Sequence, residues 1–317
     1  MYQSFFDLHG GYFDHPRLMA EVKRLNQMFN DATDHDCSSV AEILAATDEA
    51  SCSYAAFESG FMQQTLQPAQ VQLAKLGAPH DSILVNDLEL ADLKHYKLIM
   101  LLNCFRLTEA QRECIRRKVL KGNRTAVWCY APGFFNGSRA SIEAVRELTG
   151  LHIQHAQTTG RVRLCMVLNE AGLAFMGHGG HNAATTASLP GLGLTEVRAP
   201  EDTVVGHEHV RAQLFFVADP QATALGHVEG RMEVGLALKR MPHRTSVYTL
   251  NPVLPSASLR ALAGSAGVHI YCDRDDTLYA SRCFLTLAAD KGGDAPWSCH
   301  VAATSSIRSA GRGCGGA

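Results

Sequence analysis

The stretch KLIMLLNCFRLTEAQRECIRRKVLKGNRTAVWCYAPG, residues 97–133, holds two apolar runs separated by one amphipathic segment. Lys97 to Leu102 and Thr125 to Tyr130 are short and continuously apolar, the pattern of strands buried on both faces. Between them, Thr108 and Gln111 have the spacing of a capping box, in which each side chain accepts from the other residue's backbone amide. Ala110, Cys114, Ile115 and Val119 then recur on one helical face until Gly122 ends the helix. Strand, helix and strand in this order predict two parallel strands joined by a crossover helix.

Working outward, the alternation continues on both sides. Val40 to Thr47 and Ser82 to Val85 read as strands, with a helix over Phe61 to Leu76 that ends at Gly77 and that Pro68 should kink or split. After residue 133, Ile142, Val145 and Leu148 mark a helix closed by Gly150. Strands follow at Gln213 to Val217, Gly235 to Lys239 and Ser246 to Leu250. A helix near Leu259 to Ala266 leads into a strand at Val268 to Tyr271, and Thr277 to Leu287 alternates as the first strand of a β-rich module. The expected fold class is α/β, a three-layer, flavodoxin-like domain with a parallel sheet covered on both faces. Ala171 to Pro200, rich in Gly, Ala, Ser and Thr, reads as a long loop. Before the domain, Phe5 to Tyr12 suggests a strand and loop. A helix follows with Asp14 as its cap, Pro16 in its first turn and Leu18, Val22, Leu25 and Met28 as its apolar stripe.

Composition bounds the function. Of 317 residues, 46% are hydrophobic and 19% charged, so most of the chain should fold. A net charge of -2 supplies no basic field for nucleic acid. No apolar run approaches the roughly 20 residues that cross a bilayer, and residues 1–7 lack the basic region of a secretory leader. Neither nucleic acid nor membrane is an expected partner, and the expected location is cytoplasmic. The ten Cys are scattered without a CxxC pair, which favours small buried thiols over a disulfide framework or a zinc site.

Four stretches carry a family resemblance. They are Phe5-Phe6-Asp7-Leu8 with Gly10-Gly11-Tyr12, Tyr96 to Asn103 followed by Leu107 to Arg112, Val127 to Gly133, and Ala266 to Tyr271 followed by Asp275 to Ala280. Together and in this order they resemble the C-terminal half of large β-galactosidase-like glycoside hydrolases related to family 42. The resemblance implies that residues 1–36 match the last βα unit of a catalytic (β/α)8 barrel. Residues 37–275 then match a glutamine-amidotransferase-like α/β domain that acts in trimerisation, and residues 276–290 match the start of a β-sandwich. The tail 291–317 resembles nothing in that family and is expected to be disordered.

The chemistry expected from this pattern is sparse. Glycoside cleavage needs two carboxyls across the scissile bond, and the barrel that would carry them is not in this sequence. Asp7, at what resembles the end of a barrel strand, is a candidate substrate contact for a carbohydrate. Cys129 lies at the end of a buried strand, near where amidotransferases hold a nucleophile. Bulky Trp128 and Tyr130 flank it, however, and the Ala131-Pro132-Gly133 turn comes late for an elbow centred on it. His178, His181, His207 and His209 fit no standard metal spacing, and the glycines of 177–180 lack the Lys-Ser/Thr of a phosphate loop. No catalytic residue, metal or cofactor is therefore expected. The expected function is the non-catalytic scaffolding and oligomerising portion of such a hydrolase, a truncated gene product that self-associates as a homotrimer. The alternatives are a hydrolase whose barrel is a separate chain, and a cysteine-dependent amidotransferase-like enzyme using Cys129.

Overall fold

The structure, a computed structural model, describes residues 15–56, 59–137, 139–166 and 204–289. Asp7, Asp14, the strand expected at Phe5 to Tyr12, His178 and His181, the loop expected at 171–200 and the tail 291–317 lie outside these residues.

The sequence alternation builds the first half. In chain order it runs α1 (Pro16–Ala32), β1 (Ile43–Thr47), α2 (Glu49–Cys52), α3 (Phe61–Ala74), β2 (His80–Leu84), β3 (Leu98–Leu101), α4 (Glu109–Cys114) and β4 (Arg124–Cys129). The capping box of α4 forms as expected: Gln111 N donates to Thr108 Oγ1 at 3.2 Å and Thr108 N donates to Gln111 Oε1 at 2.7 Å. All four residues of β3 are buried, as are Thr125 to Cys129 of β4. Strands β2, β1, β3 and β4 pair in that order, all parallel. Pro68 does not split α3, which is one helix. The stripe Phe61, Thr65, Ala69 and Leu73 is buried along its whole length, and that packing outweighs the single hydrogen bond that a proline removes.

The second half departs from an all-parallel sheet. Short strands β5 (Phe135–Asn136) and β6 (Arg139–Ala140) precede α5 (Ile142–Thr149). Then come β7 (Ile153–Arg161), β8 (Leu164–Met166), β9 (Val204–Val205), β10 (Arg211–Val217), β11 (Thr223–Val228), β12 (Val234–Met241) and β13 (Arg244–Thr249). Only β13 continues the parallel set, against β4. The others form antiparallel ladders, so the eleven-stranded sheet runs β2-β1-β3-β4-β13-β12-β11-β8-β9 with a β7–β10 ribbon branching from β12. The turns at 229–233 and 242–243 are too short for helical crossovers, and they make β11 and β12, and β12 and β13, antiparallel neighbours. The molecule is thus mixed α/β around a large central sheet.

The end of the chain is tied back to the beginning. After α6 (Ser256–Ser265), the expected strand at Val268 to Tyr271 is instead an irregular segment: Tyr271 N and Cys272 N both donate to Gly77 O, at 2.8 and 3.1 Å. Residues 277–287 form not one strand but a hairpin of β14 (Thr277–Ala280) and β15 (Leu285–Ala288). Cys37 and Cys283 are paired as a disulfide with their Cα atoms 5.0 Å apart, and Arg282 N donates to Ser38 O beside them at 3.0 Å. These two thiols are therefore bonded to each other, where the scattered spacing favoured small buried thiols for most of the ten. Among the described residues no helix is long and apolar enough to cross a membrane.

Helix α1 stands apart from the core. His15, not Asp14, occupies its N-cap, and none of its residues is buried. Leu18, Val22 and Leu25 are half-buried, whereas Met28 is exposed, as are Met19 and Phe29.

Gly77 supplies a test of this closure. Its φ is +90°, and a Cβ there would lie 1.7 Å from Cys272 O. Gly77→Ala should lower the unfolding free energy by about 2 kcal/mol or more, read as a shift of the urea midpoint. An unchanged midpoint would contradict the packing of 271–272 on the end of α3.

Candidate functional site

Strand β4 ends in an unusual turn. Tyr130 has a left-handed backbone, φ 63°, which costs a bulky residue about 1–3 kcal/mol. Its neighbours hold it there. Tyr130 N still donates to Thr249 O of β13 at 2.8 Å, and Gly133 N donates to Cys104 O at 2.7 Å. The buried guanidinium of Arg112, from α4, donates to Gly133 O and Leu107 O. The Tyr130 hydroxyl donates to Gln213 O of β10 at 2.8 Å. Its ring centroid lies 4.7 Å from Phe61, 5.3 Å from Phe105 and 5.2 Å from Phe215.

These rings form the floor of a cleft of about 260 Å³ at the C-terminal ends of β3 and β4, under β10. Open α/β sheets bind ligands at this end of their parallel strands. Phe134, Phe135 and Tyr54 complete its aromatic wall, and Ser59, Arg211 and Gln213 are its polar members. Gln213 Nε2 lies 2.8 Å from His155 Nδ1 and donates to Ala156 O at 3.1 Å. Among the described residues no Asp or Glu lines the cleft.

The loops beneath the cleft are fixed by a buried polar network. Asp48 caps α2 by accepting from Ser51 N at 2.7 Å and Ser51 Oγ at 2.6 Å. Asp48 N donates to Asn103 Oδ1 at 2.8 Å, and Asn103 Nδ2 donates back to Asp48 O at 2.9 Å. The ends of β1 and β3 are thereby bonded side chain to backbone, with every partner satisfied as burial demands.

Cys129 lies beneath this cleft, 0% exposed, and burial alone pushes its thiol pKa well up. A nucleophilic thiol requires the opposite, an accessible and stabilised thiolate. No hydrogen bond joins Cys129 to a histidine among the described residues. The left-handed position belongs to Tyr130, one residue later, so the turn at 131–133 directly follows the strained residue. His207 and His209 are exposed, their ring centroids 5.4 Å apart. Among the described residues no group of His, Cys, Asp and Glu could hold a metal ion. Tyr130 and the aromatic cluster went unrecognised in the sequence because their members come from segments as far apart as Phe61 of α3 and Phe215 of β10. The one available signal was a turn signature starting just after Tyr130.

No protein-family model and no curated protein matches the chain. Solved structures do. The β-galactosidase of Bacillus circulans sp. alkalophilus superposes with a TM-score of 0.53 at 12% identity, over 87% of this chain and 38% of the other. A β-galactosidase from Rahnella sp. R3 gives 0.54 at 13%, over 84% and 37%. A catalytic mutant of a GH42 β-galactosidase from G. stearothermophilus gives 0.56 at 13%, over 88% and 39%. This chain shares the fold of part of a β-galactosidase. At such identities the likeness is one of fold, and the chain spans less than two-fifths of each of these β-galactosidases.

The buried acids around β4 set the alkaline stability. Burial raises the thiols of Cys104 and Cys129 and the phenols of Tyr130 and Tyr248 above their ordinary values. Groups raised in this way keep their protons only while folded. Their contribution is complete below the unfolded pKa and is lost above it, from about pH 8.5 for thiols and about pH 10 for phenols. Urea midpoints should therefore fall steadily between pH 8 and pH 11, and a flat profile would show that these groups are accessible.

Proposed function

We propose that residues 37–275 are the scaffolding and oligomerising α/β portion of a β-galactosidase-like glycoside hydrolase. The domain is flavodoxin-like and of glutamine-amidotransferase type, with tyrosine at the position of the nucleophile. One observation carries this reading. The parallel strands run β2-β1-β3-β4-β13, and the strained turn after β4, where such a fold would hold a reactive thiol, presents Tyr130 while Cys129 stays buried. The likeness of fold to part of three β-galactosidases supports it.

The flanking elements fit the same role. In this reading α1 matches the last helix of a catalytic barrel and the β14–β15 hairpin opens a β-sandwich. Helix α1 has no buried residue and carries exposed Met19, Met28 and Phe29, apolar surface available for further structure to cover. The α/β portion associates about a three-fold axis, giving a closed homotrimer. It positions a glycosidase site without contributing the paired carboxyls that such a site requires.

The purified chain should not hydrolyse aryl β-galactosides above the buffer rate, and light scattering should report a trimer or larger species. Turnover abolished by a point substitution in this chain, or a monodisperse monomer at tens of micromolar, would overturn the respective half of the proposal.

A further inference from the structure

The cleft over Tyr130 has walls of ring carbon and a mouth where Arg211 is the one charged side chain among the described lining residues. Arg211 opens β10 at that mouth and lies directly opposite Arg161 across the antiparallel β7–β10 ladder. Opposed residues of such a pair share one face, where like charges repel. Arg161 and Arg163 share the carboxylate of Glu229, at 3.8 and 2.7 Å. Arg211 makes no ion pair with that or any other carboxylate among the described residues. Among the described residues no Asp or Glu lines the cleft, and Arg211 is its one charged member.

We propose that this cleft binds a small aryl carboxylate, with its ring against Tyr130 and Phe215 and its carboxylate on Arg211. The site is additional to the scaffolding role and does not depend on it. Volume supports the assignment: a benzene ring occupies an apolar cavity of roughly 150 Å³, so about 260 Å³ leaves room for a short acid arm. A guanidinium engages a carboxylate through paired N–H donors, which fixes the ligand's direction as well as its charge. A monosaccharide fits less well. It would carry several hydroxyls against rings that cannot pair with them, and unpaired buried hydroxyls are costly. The strained Tyr130 backbone is explained by the same role, since it turns the ring out of the sheet and into the cleft floor.

Isothermal titration of the full chain with 3-phenylpropionate, its neutral amide 3-phenylpropanamide and D-galactose tests the proposal. The acid should bind saturably, the amide at least tenfold more weakly and galactose not measurably. Arg211→Gln, an exposed substitution that leaves the fold intact, should bring the acid down to the affinity of the amide and leave the amide unchanged. Tyr54→Ala, at the rim, should weaken acid and amide together. Absence of saturable acid binding, equal binding of acid and amide, insensitivity to Arg211→Gln, or galactose binding more tightly than the acid would each overturn it.

Discussion

Strand β4 is the constraint on which the rest depends. It lies between β3 and β13, parallel to both, with Thr125 to Cys129 buried. A strand in that position must be apolar on both faces, and its few polar atoms must be paired inside the protein. Trp128 meets the demand: its Nε1 donates to Ser246 Oγ at 2.9 Å, and Ser246 Oγ donates onward to Thr149 O at 2.6 Å. That relay crosses from β4 through β13 to the end of α5 and joins the parallel half of the sheet to the helix covering it. Once β4 is fixed, Cys129 has no route to solvent, and the chain can reverse only at Tyr130.

The site follows from that reversal. A tyrosine held left-handed is tolerated because its ring packs among Phe61, Phe105 and Phe215, its hydroxyl reaches β10, and Arg112 braces the following turn. The antiparallel half has a matching purpose: the β7–β10 ribbon leaves the main sheet at β12 and lies over the C-terminal ends of β3 and β4. Together the two halves make a cleft where an open α/β sheet ordinarily binds its ligand. Among the described residues this cleft is floored by rings, with Arg211 as its charged member.

The fold was legible where one physical signal dominated. Continuous apolar runs gave β3 and β4, and the Thr108–Gln111 pair gave the start of α4, because burial on both faces and capping are local demands. Strand β7 was missed because its solvent-facing residues, Gln154 and Gln157 to Thr159 among them, break any apolar run. The segment at 268–271 has strand-like composition, but Gly77 O captures its backbone donors and no ladder forms. Pro68 reads as a break, yet four buried positions on one face of α3 outweigh it. The site was legible only in part: a buried Cys129 beside Trp128 could be read, but not a left-handed Tyr130. The pairing of Cys37 with Cys283 spans 246 residues, and only tertiary structure brings them together.

Thiol accessibility in the native protein tests the placement of β4 most directly. Iodoacetamide at pH 7.5, followed by peptide mass spectrometry, should label exposed Cys52 rapidly and leave Cys129 and Cys104 unmodified until denaturant is added. Labelling of Cys129 in the folded protein at a rate matching or exceeding that of Cys52 would contradict the account. It would place a reactive thiol where the structure places a buried strand and a tyrosine turn.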